Sequence, residues 1–253
     1  MRIGVIGFGK TGKAVAATIL RNKAHVLEWV VRRSTRLDHR SVPEFLGEES
    51  DEPALIYSSQ RATIGQILDA QPVDMIVDFS SESGIEFYGD EAVKRKITII
   101  SGISHYGEET QDLLGRYAEK TAVFWSPNIT LGVNYLLLAA QFLRKILPSI
   151  DMVILEEHFR EKPGVSGTAK VMAAALDIDE AQIKTVRAGG IIGRHEIICG
   201  FPFQTVRLTH DSITREAFGN GAIFVAEHMA GKPEGLYTFE QLLLPYFSKD
   251  EAS

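Results

Sequence analysis

The apolar positions of this chain follow two periods. Ile3 to Ile6 is a short, continuously apolar run of the kind a buried strand shows. It ends in glycines, and the alanine-rich stretch Lys13 to Arg21 that follows has helical composition. A second β-rich run, His25 to Val31, completes a β-α-β unit whose strands are expected to be parallel and joined by a right-handed crossover. The polar stretch from Ser34 to Ser59, with Pro43 and Pro53, reads as irregular connection. Strands are then predicted at Met75 to Phe79, Thr98 to Ser101 and Val123 to Trp125, separated by helical segments around Ser83 to Arg95 and Glu108 to Lys120.

After Asn128 the rhythm changes, and a domain boundary is placed there. A long apolar helix, Val133 to Leu147, leads to a strand at Met152 to Glu157, a glycine-containing loop and a helix at Thr168 to Leu176. Three β-rich runs follow, Lys184 to Ala188, His195 to Cys199 and Thr205 to Thr209. Their closeness predicts an antiparallel part of an open sheet. A last helix runs from Arg215 to Met229, and no internal repeat or low-complexity segment is found.

Composition narrows the partners. With 253 residues and 45% hydrophobic content the chain can bury a core in one large or two ordinary domains. A net charge of -6 offers no basic field for a phosphate backbone, so no nucleic-acid partner is expected and a small molecule is. No apolar run approaches a membrane span; even Tyr135 to Ala140 is soon broken by Gln141, Arg144 and Lys145. The N-terminus lacks the look of a secretion signal, and the expected location is cytoplasmic. The single cysteine, Cys199, forms neither an internal disulfide nor a metal cluster and is read as core; no metal is expected.

Between the first strand and the first helix, Gly7, Phe8, Gly9, Lys10, Thr11 and Gly12 spell G-x-G-x-x-G. In that context the glycines have separate tasks: Gly7 makes the tight turn, Gly9 lets backbone approach a pyrophosphate, and Gly12 permits close packing of helix on strand. N–H groups at the helix start then meet the anion. The expected fold class is therefore α/β, a Rossmann parallel-sheet domain followed by an α+β domain with an open mixed sheet. Where an NAD enzyme would carry Asp or Glu for the ribose 2′-hydroxyl, this chain has Arg32 and Arg33, which predicts NADPH, with NADH possible. Two solvated surface arginines are the competing reading.

The segment EEHFREKPGVSGTA, Glu156 to Ala169, resembles the dihydrodipicolinate reductase (4-hydroxy-tetrahydrodipicolinate reductase) family of diaminopimelate and lysine biosynthesis. GFGKTG, VDFSSESG at Val77 to Gly84, SPNITLGVN at Ser126 to Asn134, VRAGGIIGRHE at Val186 to Glu196 and FGNGAIFVAE at Phe218 to Glu227 resemble it in the same order, nearly end to end. The resemblance implies reduction of a conjugated dicarboxylate imine, an assembly that is commonly tetrameric, and a dinucleotide-binding domain of residues 1–128 with 216–253 beside a substrate-binding and oligomerisation domain of residues 129–215. It assigns the acid-base pair to His158 and Lys162, and carboxylate binding to Ser166, Gly167 and Thr168 at a helix start. Further cofactor contacts are implied at Phe79 and Ser80, at Ser101, Gly102 and Ile103, and at Ser126, Pro127, Asn128 and Ile129, all after strand ends.

Hydride delivery to a conjugated imine builds negative charge that a nearby acid must quench, so the chemistry independently asks for groups such as His158 and Lys162. Glu156 or Glu157 is a candidate to orient His158. The chain departs from the family where a second histidine, a substrate contact, is replaced by Phe159, and where the segment between lysine and serine is one residue shorter. Two alternatives stay open: a related reductase acting on another cyclic imine or unsaturated acid, and a regulatory protein that binds NADPH without turnover.

Overall fold

A computed structural model describes residues 1–51 and 53–247, and the chain divides into two compact units. The first comprises Met1–Ile129 with the described residues from Phe218 onward and the second Thr130–Ala217, so Ile129 falls with the first unit and Glu216 and Ala217 with the second. The expected assignment of 248–253 to the first domain lies outside the described residues.

The first unit alternates strand and helix: β1 (Arg2–Ile6), α1 (Lys10–Arg21), β2 (Val26–Arg32), α2 (Val42–Leu46), β3 (Leu55–Ser58), α3 (Ile64–Ala70), β4 (Met75–Asp78), α4 (Gly84–Lys94), β5 (Thr98–Ser101), α5 (Glu108–Ala118) and β6 (Ala122–Trp125). The remaining elements are α6 (Leu131–Ile146), β7 (Asp151–His158), α7 (Gly167–Ala175), β8 (Ile183–Arg187), β9 (Arg194–Phe201), β10 (Gln204–Asp211), α8 (Glu216–Met229), β11 (Gly235–Tyr237) and α9 (Phe239–Leu243). In the first unit seven strands form one parallel sheet in the order β11-β6-β5-β4-β1-β2-β3. The strands are mainly apolar, β4 being buried at every position, because helices cover both faces of such a sheet. Strand order reverses between β1 and β4, the point at which open α/β sheets place ligands.

The segment 34–59 is not irregular as expected. Ser41 caps α2 by accepting the Glu44 N–H at 3.3 Å, and β3 adds to the outer side of β2 in parallel register. The five-residue α2 is too short to show a helical period, and β3 (LIYS) lies inside a polar stretch with only alternate positions buried, so it lacks the continuous apolar run that marks the other strands. The helix α3, opened by a Thr63 and Gln66 capping box, was likewise not anticipated.

The second unit holds a four-stranded sheet in the order β10-β9-β7-β8. Strict alternation along β7 buries Met152, Ile154, Glu156 and His158 on one face. That face packs Val133, Leu136 and Ala140 of α6 and Ala169, Met172 and Ala173 of α7, and Cys199 is buried in the same core. β9 and β10 are antiparallel neighbours as expected, but β8 is not one of them. It pairs in parallel with β7, which corrects the antiparallel expectation for Lys184 to Ala188. The physical reason is the intervening helix: β7, α7 and β8 make a crossover connection, and a crossover returns the chain in the same direction.

Among the described residues no helix is long and apolar enough to cross a membrane.

Candidate active site

In the first unit the glycine motif wraps the end of β1. Gly7 has φ +96°, and a Cβ there would lie 2.6 Å from the Phe79 carbonyl. A Cβ on Gly12 would come within 2.0 Å of the Gly7 oxygen, whereas one on Gly9 would meet no protein atom within 4 Å. Two of the glycines are thus demanded by the chain's own packing, and Gly9 leaves open space at the N-cap of α1. No acidic side chain occupies the first turn of α1, and Lys10 and Thr11 begin it. A cleft of about 810 Å³ beside this turn is lined by Gly7, Phe8, Gly9, Arg32, Arg33, Phe79 and Ser80 among others. A second cleft, about 450 Å³, is bordered by Thr11, Phe79, Ser80, Gly102, Ile103 and Pro127. Strand C-terminal ends therefore bring together most of the residues predicted for the cofactor.

Other predicted residues are framework. The Ser101 hydroxyl pairs with that of Tyr106 at 2.8 Å, Ser126 donates to the Asn128 carbonyl at 2.7 Å, and Ile129 is buried. The Ile103 side chain belongs to the main core, and its carbonyl accepts the Trp125 indole N–H at 2.9 Å. Beneath the Phe79–Ser80 turn sits a group that sequence reading missed, Asp78. It accepts the Ser80 N–H at 2.8 Å, the Ser80 hydroxyl at 2.6 Å and the Tyr88 hydroxyl at 3.1 Å. Burial raises its pKa to about 6, against the lowering effect of those hydrogen bonds. An open glycine turn at a positive helix end fits the pyrophosphate of a dinucleotide.

The second unit carries its chemistry where β7 ends. Glu156 and His158 lie two residues apart on one strand and so share a face. The Glu156 carboxylate engages His158 Nδ1, and its other oxygen accepts from the Arg187 guanidinium at 2.6 Å. Glu156 is fully buried. Burial pushes its pKa up, but the bonds to Arg187 and His158 outweigh this and leave it lowered. For His158, burial together with Lys162 and Arg187 overcomes the pull of Glu156, and its pKa falls below the ordinary histidine value. A Cβ on Gly193 would lie 3.0 Å from His158 Nε2, so that glycine keeps space beside the nitrogen opposite Glu156.

Lys162 follows in a turn, its N–H donating to the Phe159 carbonyl at 3.1 Å. Phe159 itself is 36% exposed. Ser166 is buried and caps α7 by accepting the Ala169 N–H at 3.0 Å, with Gly167 and Thr168 forming the helix's first turn. A further residue that sequence reading missed, His195, pairs with the Ser166 hydroxyl through Nε2 at 3.0 Å and lies edge-on to His158, ring centroids 5.2 Å apart. Burial, reinforced by the neighbouring His158, pushes its pKa down to about 3. It is a neutral scaffold. Arg187 was also missed: it stands in the VRAGGIIGRHE segment, but no role was attached to it; it reaches the site because parallel register places it directly beside His158.

A parallel dinucleotide-type sheet, and a separate sheet bearing a histidine, a lysine and a capped helix start, define a nicotinamide-dependent oxidoreductase. Family models described as dihydrodipicolinate reductase, N-terminus, and dihydrodipicolinate reductase, C-terminus, match residues 1–129 and 132–243. The chain belongs to the dihydrodipicolinate reductase family. A 4-hydroxy-tetrahydrodipicolinate reductase of Caldanaerobacter subterraneus subsp. tengcongensis is 30% identical over 68% of this chain and 78% of its own length. One from Thermosipho africanus is 27% identical over 98% of this chain and all of its own. Among solved structures, a dipicolinate-bound dihydrodipicolinate reductase from Paenisporosarcina sp. TG-14 shares the fold, with TM-score 0.77 and 19% identity over 94% of this chain and 97% of that one.

Proposed function

We propose that this protein reduces dihydrodipicolinate, formed from 4-hydroxy-tetrahydrodipicolinate, to tetrahydrodipicolinate, with NADPH preferred over NADH. The observation that carries the reading is the corner of the second unit in which His158, anchored by buried Glu156, shares a loop with Lys162 and the Ser166-capped start of α7. Bound nicotinamide supplies a hydride. The chain's own residues do the rest. Lys162 and His158 hold the protons that quench charge developing on the reduced substrate. Ser166, Gly167 and Thr168 offer a carboxylate the positive start of α7. In the first unit the turn Gly7 to Gly12 takes the pyrophosphate, and Arg32 and Arg33 take the ribose 2′-phosphate. The segments at Phe79 and Ser80, Ser101 to Ile103 and Ser126 to Ile129 border the nicotinamide half.

The test follows NADPH oxidation at 340 nm with freshly generated dihydrodipicolinate. Wild type turns over, and Lys162→Ala loses about 10²- to 10⁴-fold in kcat while still binding NADPH. Full activity in that variant defeats the proposed proton donor. Phe159 favours a second reading, a related reductase of another cyclic imine or unsaturated acid, because an apolar ring stands where family members offer a substrate an imidazole N–H. NADPH binding without turnover of dihydrodipicolinate, restored when other cyclic imines are supplied, selects it; binding with no turnover of any such compound selects a regulatory role. A homotetramer is the proposed assembly, built on the sheet face opposite α6 and α7, where Val186 is exposed and Val153, Leu155 and Ile198 are half-buried.

A further inference from the structure

The Arg187 guanidinium holds more than Glu156. Its Nε donates to the Lys162 carbonyl at 3.1 Å, and a terminal nitrogen is shared between Glu156 and the Gly164 carbonyl. The other terminal nitrogen donates to the Val186 carbonyl at 2.8 Å, so one planar fork meets four acceptors, of which Glu156 and the Lys162 and Gly164 carbonyls lie on two segments distant in sequence, an arrangement an ammonium cannot reproduce. We infer that Arg187 is the positioning residue of the acid-base pair, fixing the proton on the His158 imidazole through Glu156 while it anchors the main chain that carries Lys162. The inference rests on the proposed proton-donor roles of His158 and Lys162.

The chemistry follows from charge placement. With Glu156 held as a carboxylate, His158 Nδ1 must be the protonated nitrogen of the neutral ring, and Nε2, beside Gly193, is the atom free to take up and deliver a proton. The charged or titratable groups facing that ring are Glu156 on its own strand, Arg187 on β8, Lys162 on the following loop and His195 on β9. Remove Arg187 and a fully buried carboxylate loses its cation. The Glu156–His158 pair then retains a proton more tightly, either as imidazolium or as carboxylic acid. Remove the Glu156 charge instead, and the ring faces only cations and a neutral histidine. The two substitutions must therefore move the proton affinity of the pair in opposite directions, which loss of packing alone does not do.

The experiment is a ¹⁵N NMR titration of the full chain labelled at histidine, with His158→Asn assigning the resonance, alongside kcat and KM for NADPH-dependent reduction. Wild type is expected to show the Nδ1–H tautomer and to titrate below the ordinary histidine range. Arg187→Met should shift the midpoint to higher pH and lower kcat on the order of tenfold to a hundredfold. Glu156→Gln should shift the midpoint to lower pH. Arg187→Lys keeps the charge but not the fork, so its midpoint returns toward wild type while kcat stays depressed. Midpoints unmoved by Arg187→Met and Glu156→Gln, or moved the same way, overturn the inference, as does full recovery of kcat by lysine. Should Arg187→Met fail to fold, Glu156→Gln and Arg187→Lys decide the matter. The titration needs no substrate, so absence of turnover would sink the proposed reaction and leave this result standing.

Discussion

His195 sets a limit on how far this protein tolerates acid. Its folded pKa, pushed down to about 3, lies below the value it regains on unfolding, so between roughly pH 6.5 and 3 the unfolded chain binds a proton that the folded chain refuses. The stabilisation from keeping this ring neutral is complete above that window and falls as pH drops through it, by on the order of several kcal/mol. Asp78 works the other way. Its pKa of about 6 exceeds that of an unfolded aspartate, so it costs stability above pH 6 and relieves that cost on acidification. His195→Gln, which can keep a bond to Ser166, should therefore flatten the fall of denaturation midpoint between pH 6 and 4, measured by urea melts at each pH. A slope unchanged from wild type would show that His195 is not the group titrating. At this scale sequence reading reached the residues that stand in a motif, His158, Lys162 and Ser166. It missed Arg187 and His195, which sit 29 residues from His158 and Ser166 and meet them only in the folded chain, Arg187 through strand register and His195 through a side-chain hydrogen bond.

Elements were legible where they carried a continuous apolar run or a full helical period, whatever their length. The strands β1, β2, β4, β5 and β6 and the helices between the later ones came through because each is either a continuous apolar run or a full amphipathic period. The direction of β8 was misread because nearness in sequence to β9 was weighed above the helix that separates it from β7, and α2 and β3 vanished into a polar stretch. The glycine turn shows how an element can be dissected. Gly12→Ala drives a methyl into the Gly7 carbonyl, 2.0 Å away, and must push α1 off β1; overpacking of this kind costs about 1–3 kcal/mol. Gly9→Ala meets nothing in the protein and its φ of -78° suits alanine, so the fold should be unaffected. Its methyl would instead stand where backbone must approach a pyrophosphate. The expected outcome is an unchanged melting temperature with NADPH affinity reduced at least tenfold by fluorescence titration for Gly9→Ala, and a lowered melting temperature for Gly12→Ala. Unaltered NADPH affinity in Gly9→Ala would remove the dinucleotide from this turn.

For the molecule as a whole, each unit encloses its own hydrophobic core, one around Trp29, Ile76, Tyr88 and Ile99 and the other around Leu136, Ile154, Met172 and Ile197. A ligand taken up by one unit therefore stabilises that unit's folded state by mass action, about 2.7 kcal/mol at a hundredfold excess over Kd. The dinucleotide preference can be read from this without turnover. NADPH and NADH differ by one phosphate, and Arg32 and Arg33 border the cleft at the tip of β2, with Arg33 exposed and Arg32 half-buried. If the guanidinium groups bind that phosphate, NADPH raises the melting temperature more than NADH at equal concentration. Arg32→Gln with Arg33→Gln then lowers the NADPH shift to that of NADH, leaves the NADH shift where it was and barely moves the ligand-free protein, because the substitutions remove charge from a surface rather than contacts from a core. Calorimetry at low and high salt separates this from general attraction: a specific bidentate phosphate contact survives added salt in part, whereas diffuse attraction to an anionic ligand is screened. Equal shifts by the two dinucleotides in wild type would return both arginines to the solvated surface and leave the preference for NADPH without a physical basis.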